Sequence, residues 1–291
     1  MRLCGGLLVA LSVAGMAPAR GQTAPSETPR WVGHFTVLAG NTAIGALTGG
    51  LLQKLRGGSF KDGFARGALG GAVIYGAKRV VVQRFWGAGL LGRELDAVGV
   101  SLVRNASEAR PSFSRMFLPV GPLPFRANLD LAHGVRVQPQ LDLSAAGWLL
   151  YGLYETRLTP DVGQSLSSGA MVFHADRRLI LDQGRPISGF TASRSIFASD
   201  PLALTGGETW GLVLAHERVH VLQQDFVLTA WSQPLAELAL GRLPGGRAVS
   251  RYVAVDALDW VVGTVKVIVS GSVNYDRNFP TELEAYFLTG K

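Results

Sequence analysis

The chain has 291 residues, 47% hydrophobic and 17% charged, with 37 Gly, 14 Pro, five His and a single Cys, a composition that excludes disorder over most of its length and suits one substantial domain or two small ones. Lone Cys4 makes no intramolecular disulfide and lies in a segment expected to be removed, so thiol catalysis, Cys-ligated zinc and iron–sulfur clusters drop out, and any metal falls to His and carboxylates. The net charge of +7 is spread over single or paired bases such as Lys54, Arg56, Lys61, Arg66, Lys78 and Arg79, with no dense run, which argues against a nucleic-acid partner and for mild attraction to anionic lipid or envelope polymer.

Met1-Arg2 is followed by an apolar, small-residue stretch ending in Ala17-Pro18-Ala19, the parts of a secretory signal peptide over 1–19. Export is therefore expected, to a periplasm, a cell envelope or the medium. Residues 20–30 are polar with two prolines and read as a linker. Glycines then recur at spacings near four, at Gly40, Gly45, Gly49 and Gly50 and again at Gly63, Gly67, Gly71 and Gly76. Small residues four apart share a helix face and let backbones approach closely, which predicts a helical hairpin over roughly 35–84. No Lys, Arg, Asp or Glu occurs from Trp31 to Gln53, which favours membrane contact through 31–84, whereas Lys61, Asp62 and Arg66 in the second arm favour the alternative of a hairpin packed on the rest of the protein. Leu91, Leu95, Val98 and Leu102 predict an amphipathic helix over 87–106, although Gly92 and Gly99 oppose it. This glycine-rich helical region, 31–108, gives way at 109 to a different texture.

Phe117 to Leu129 is broken by three prolines and cannot be a long helix. Val135 to Leu143 alternates with period two, as a half-buried strand does, and Pro139 points to a sheet edge. With shorter extended runs at 170–174 and 187–197, the expectation for 109–200 is an antiparallel sheet. Ala254 to Val269 is apolar without a deciding period.

The segment from Thr209 to Phe226 carries the chemistry. It contains His216-Glu217-Arg218-Val219-His220, an H-E-x-x-H arrangement in a run free of Pro. Two His four apart project from one helix face on successive turns, so both imidazoles reach one tetrahedral ion. Glu217 falls beside the ion, where it can take a proton from an attacking water and pass it to a leaving amine. The neighbouring apolar residues mark a buried helix. A third ligand is needed, and Asn278 to Tyr286 (NFPTELEAY) offers Glu282 and Glu284 behind a proline placed to open a helix. His174 is a candidate oxyanion donor, Tyr252 and Tyr275 are possible donors without positional support, and His133 reads as solvated. Asp225, Asp256 and Asp259 either support the site or are merely solvated.

On these residues the sequence resembles the gluzincin zinc metallopeptidases, and more closely a group of bacterial zinc-peptidase-like domains with H-E-x-x-H-x-x-Q followed by a helix containing E-x-E-A. His216, Glu217, His220 and Gln223 match the first signature, and Glu282, Glu284 and Ala285 the second. The resemblance covers about 187–291. It implies Zn²⁺ held by His216, His220 and Glu282, with Glu284 as the alternative ligand, and Glu217 as general base. It also implies an edge strand within 189–199 able to pair with an extended peptide. Tyr286 stands where an Asp commonly follows the Ala.

The expected protein is thus α+β: a glycine-rich helical hairpin, then a zinc metallopeptidase-like domain over 109–291 with a sheet, an active-site helix and a C-terminal ligand helix. Its expected function is that of an exported zinc-dependent metallohydrolase acting on a peptide or protein substrate. The alternatives are a catalytically inactive zinc-bearing protein and a glycine-zipper structural protein of the envelope or membrane.

Overall fold

A computed structural model describes residues 29–290 except 133, 178, 181–185, 202–203, 205–208, 241, 255 and 257–279. The expected signal peptide, residues 20–28 of the linker, His133, Tyr275, Asp259 and nearly all of 254–269 lie outside the described residues.

Three helices come first: α1 (Arg30–Leu55), α2 (Phe60–Val81) and α3 (Ala88–Ser107). Helix α1 takes in Arg30, the last residue of the expected linker, directly after Pro29. The α1–α2 turn uses Gly57 at a φ of +84°, a conformation L side chains rarely adopt, and Ser59 then caps α2 by accepting the Asp62 N–H. Of the expected glycine contacts, those at Gly45, Gly49, Gly50, Gly63, Gly67 and Gly71 join the arms, whereas a Cβ on Gly40 or Gly76 would meet nothing within 4 Å. A Cβ on Gly45 would lie 2.4 Å from the Gly67 carbonyl oxygen, and one on Gly49 would lie 2.4 Å from that of Gly63. The same device seats α3, where a Cβ on Gly99 would lie 2.9 Å from the Gly70 oxygen. Glycines that lower the helix propensity of α3 are therefore what let it pack, and close packing overrides propensity here. Among the described residues α1 is the one helix long and apolar enough to cross a membrane, and Gly45 to Gln53 in its second half are largely buried against the protein.

The sheet expectation needs correction. Instead of one antiparallel sheet, the region forms two four-stranded mixed sheets and a small two-stranded one. In the first, β1 (Arg115–Pro119), β2 (Phe125–Asp130) and β3 (Arg136–Asp142) make an antiparallel meander. The late strand β10 (Val253–Ala254) joins β3 in parallel. Pro139 falls inside that order, but β10 pairs only with Leu141 and Asp142, so the missing N–H is tolerated. In the second sheet, β4 (Leu158–Pro160) and β5 (Met171–Ala175) are antiparallel, β5 and β9 (Ser195–Ala198) are parallel, and β8 (Gly189–Ala192) pairs antiparallel with β9 at the edge. Strands β6 (Leu179–Ile180) and β7 (Pro186–Ile187) pair with each other. Period-two alternation shows that a strand is half-buried but not which strand lies beside it, and so could not reveal the parallel pairs.

Two helices interrupt the strands, α4 (Leu143–Tyr154) and α5 (Val162–Ser168). Each begins on an aspartate: Asp142 accepts the Ala145 N–H at 3.0 Å and Asp161 accepts the Gln164 N–H at 2.8 Å.

Helix α6 (Trp210–Val227) is the pivot of the molecule and runs on through a π segment (Leu228–Ser232) into α7 (Gln233–Leu240). Leu214 and Val221 pack on Ala170, Val172 and Ile196 of the second sheet region. Val219 and Leu222 pack on Ala77 and Val81 of α2 and on Ala285 and Leu288 of the C-terminal helix α9 (Pro280–Thr289). Between α7 and β10 lies α8 (Gly246–Tyr252). The class is α+β, with α6 held between a sheet and the glycine-rich helices.

Candidate metal centre

Helix periodicity brings His216 and His220 to one face of α6, and α9 carries Glu282 to meet them. The two Nε2 atoms are 3.1 Å apart; Glu282 Oε2 lies 3.2 Å from His216 Nε2, and Oε1 lies 3.2 Å from His220 Nε2. All three residues are buried, and their ligand atoms lie within 4.8 Å of one another. Two imidazole nitrogens and a carboxylate converging in a buried space repel one another unless a cation or shared protons lie between them. Tetrahedral bonds of about 2.0–2.1 Å separate ligand atoms by roughly 3.3 Å, close to the spacings found. The group can hold a metal ion.

The electrostatics agree with a site built to carry positive charge. Burial pushes the Glu282 carboxyl up, yet hydrogen bonds and charge from His216 and His220 outweigh it and hold the group down to about 2. Burial pushes His220 down, while Glu282 and the nearby Glu217 carboxylate carry it above its ordinary value.

Orientation comes from outside the cluster. His220 Nδ1 donates to Gln223 Oε1 at 2.8 Å, which leaves Nε2 facing Glu282. Gln223 Nε2 in turn donates to Glu284 Oε2 at 2.8 Å and to the Thr281 carbonyl at 3.2 Å. Glu284, the alternative ligand, is thus not in the cluster. It is engaged by Lys78 Nζ at 2.7 Å and Asn41 Nδ2 at 2.6 Å, both from the glycine-rich hairpin. The physical reason is spacing: two residues after Glu282 on a helix, Glu284 turns about 200° away and meets α1 and α2 instead. Lys78, with hydrogen bonds from Asn41 and Gln223, outweighs the burial that would otherwise raise the Glu284 carboxyl and holds it below its ordinary value.

Glu217 is buried beside the cluster without belonging to it. The Thr191 hydroxyl, from edge strand β8, donates to its Oε2 at 2.9 Å. Gly189 leaves room there, since a Cβ on it would lie 3.2 Å from Glu217 Oε1. Tyr286, in the position where an Asp was expected, lays its ring 4.6 Å from that of His216.

The remaining candidates have other partners. His174 pairs with Asp161 at 2.7 Å and stacks on Trp210, and Tyr252 is exposed on α8. Asp225 is gripped by Arg93, Arg126 and Arg194, and Asp256 accepts from the Ser232 hydroxyl. Thr191, Asn41 and Lys78 were not among the sequence candidates. Nothing local marks them, because Lys78 and Asn41 meet Glu284 across 206 and 243 residues of chain. A scan against protein-family models, a search of curated proteins and a search of solved structures each find no match, so the reading of this centre rests on its own geometry.

Proposed function

We propose that the protein is an exported zinc-dependent metallohydrolase that cleaves peptide bonds. The observation that carries the reading is the convergence of His216, His220 and Glu282 in one buried cluster, with the Glu217 carboxylate beside it and under an edge strand. Two imidazoles and one carboxylate form a set that suits zinc and leaves a coordination position open. Zinc bound there supplies a Lewis acid that polarises a carbonyl and lowers the pKa of a water.

The chain's own residues supply the rest. Glu217 accepts a proton from the attacking water at a carboxylate oxygen and returns it to the leaving amine. The Thr191 hydroxyl, donating to Oε2, holds that carboxylate in place and leaves Oε1 for proton transfer. Strand β8 is paired only to β9 among the described residues, so its outer edge has backbone groups to offer an extended substrate. Gln223 keeps His220 in the required tautomer.

Metal analysis and peptide hydrolysis test the reading together. The wild type should carry one zinc per chain and His220→Ala should lose it. Glu217→Gln should keep zinc while peptide turnover falls at least about 100-fold. Wild-type protein that takes up no metal sinks the proposal. Zinc-loaded wild type inert toward a broad peptide mixture would leave the zinc-bearing structural role in its place.

A further inference from the structure

A groove of about 610 Å³ borders α6 away from the metal cluster, a size in the range of small-molecule sites, roughly 300–1,000 Å³. Arg218 follows His216 by two residues, which turns it about 200° around the helix and into this groove. Phe85 and Trp86, from the turn between α2 and α3, form part of the wall and are 50% and 74% exposed.

Arg218 is the unusual residue. It is only 8% exposed. Its Nε donates to Ser168 Oγ at 2.9 Å, and its two terminal amino groups have no hydrogen-bond partner among the described residues. The berth is made by Gly89, where a Cβ would lie 2.9 Å from Arg218 Nε and 2.5 Å from Ser168 Cα. A guanidinium is thus held in a fixed pose, largely stripped of water, with the groove beside its free edge.

The surroundings favour an anion. Thr209, Trp210 and Gly211 at the start of α6 line the groove, the N-cap residue Thr209 makes no side-chain capping hydrogen bond, and the first turn contains no acidic residue. The positive end of the helix dipole therefore adds to the Arg218 charge. Arg84 adds an exposed cation at the wall. The one carboxylate among the described lining residues, Asp161, is already engaged by His174 at 2.7 Å and by the Gln164 N–H at 2.8 Å.

We propose that this groove binds a small organic monocarboxylate with an aromatic or aliphatic body, its carboxylate paired with the Arg218 guanidinium and its body against Phe85 and Trp86. The planar fork of arginine matches a carboxylate bidentately, and the exposed rings give an apolar body something to cover. The site uses none of the cluster residues, so it stands or falls separately from the metallohydrolase reading.

The test is a tryptophan-fluorescence and saturation-transfer NMR titration of the full chain with phenylacetate and octanoate, against phenylacetamide and inorganic phosphate. Both carboxylates should bind, with the neutral amide and the phosphate at least ~10-fold weaker. Arg218→Gln should weaken carboxylate binding at least ~10-fold. Trp86→Ala, a change at an exposed ring that leaves folding intact, should weaken phenylacetate several-fold. The proposal is overturned if neither carboxylate saturates below ~10 mM, if amide or phosphate binds as well as phenylacetate, or if folded Arg218→Gln binds like the wild type. Should Arg218→Gln fail to fold, the amide comparison and Trp86→Ala decide, and phenylacetate binding unchanged in Trp86→Ala counts against the proposal.

Discussion

Asp225, one turn and a residue beyond His220 on α6, is the point where three guanidinium groups meet. Arg93 Nε lies 2.8 Å from one carboxylate oxygen, with Arg194 Nε at 3.0 Å and Arg126 at 3.4 Å from the other. Burial pushes this carboxyl up, but the three arginines outweigh it and hold it well below the usual carboxylate range. Burial acts on the arginines too, lowering Arg126 to about 9. A carboxyl whose folded-state pKa is depressed contributes stability that is fully present above its unfolded value, about 3.9, and is lost as pH falls toward the folded value. Asp225→Asn leaves three buried cations without their common counter-charge, and should cost roughly 3–5 kcal/mol in urea unfolding at neutral pH. The same variant should lose less further stability than the wild type between about pH 4 and pH 2. A variant as stable as the wild type, or equally acid-sensitive, would show that Asp225 does not organise this cluster. The sequence presented Asp225 only as an acid near the motif, since its arginines come from α3, β2 and the β8–β9 turn.

At the scale of elements, the glycine spacing was legible because helix periodicity is local: residues four apart share a face whatever the rest of the chain does. The partner of that face was not local, and the contacts give it a measurable consequence. A Cβ on Gly67 would lie 2.2 Å from the Gly45 carbonyl oxygen, a backbone atom that moves only if the helices part. Gly67→Ala should therefore destabilise the protein by roughly 1–3 kcal/mol. Gly40, on the same helix α1 as Gly45, has nothing within 4 Å of a built Cβ, so Gly40→Ala should raise stability by about 0.5–1 kcal/mol through helix propensity. Thermal unfolding of the two variants should shift in opposite directions, and equal shifts would mean that close packing at Gly67 does not matter. The strands teach the reverse lesson. Alternation in Val135 to Leu143 exposed β3, but the parallel pairing of β5 with β9 spans helix-length gaps that leave no periodic trace.

Across the whole molecule, the glycine-rich helices and the candidate metal centre are joined by one chain of hydrogen bonds, from Lys78 and Asn41 through Glu284 and Gln223 to His220. Close approach of α1 and α2 is what lets Asn41 and Lys78 reach Glu284 together. Glu284→Gln removes the ion pair of a buried lysine and loosens the partner of Gln223, so under the proposed function affinity for the metal ion should fall about 10–100-fold while stoichiometry at saturating metal is kept. A chelator-competition titration measures this, and unchanged affinity would mean that the hairpin does not orient His220. By itself the sequence determined the helix that carries the His pair and neighbouring Glu217, and the glycine faces of the hairpin, because each follows from spacing along a single helix. Tertiary structure alone brought Glu282 rather than Glu284 to the His pair, built two mixed sheets in place of one antiparallel sheet, and turned Arg218 into a groove. Those outcomes depend on which distant surfaces meet, and burial and charge pairing across some 200 residues of chain have no signature in local sequence.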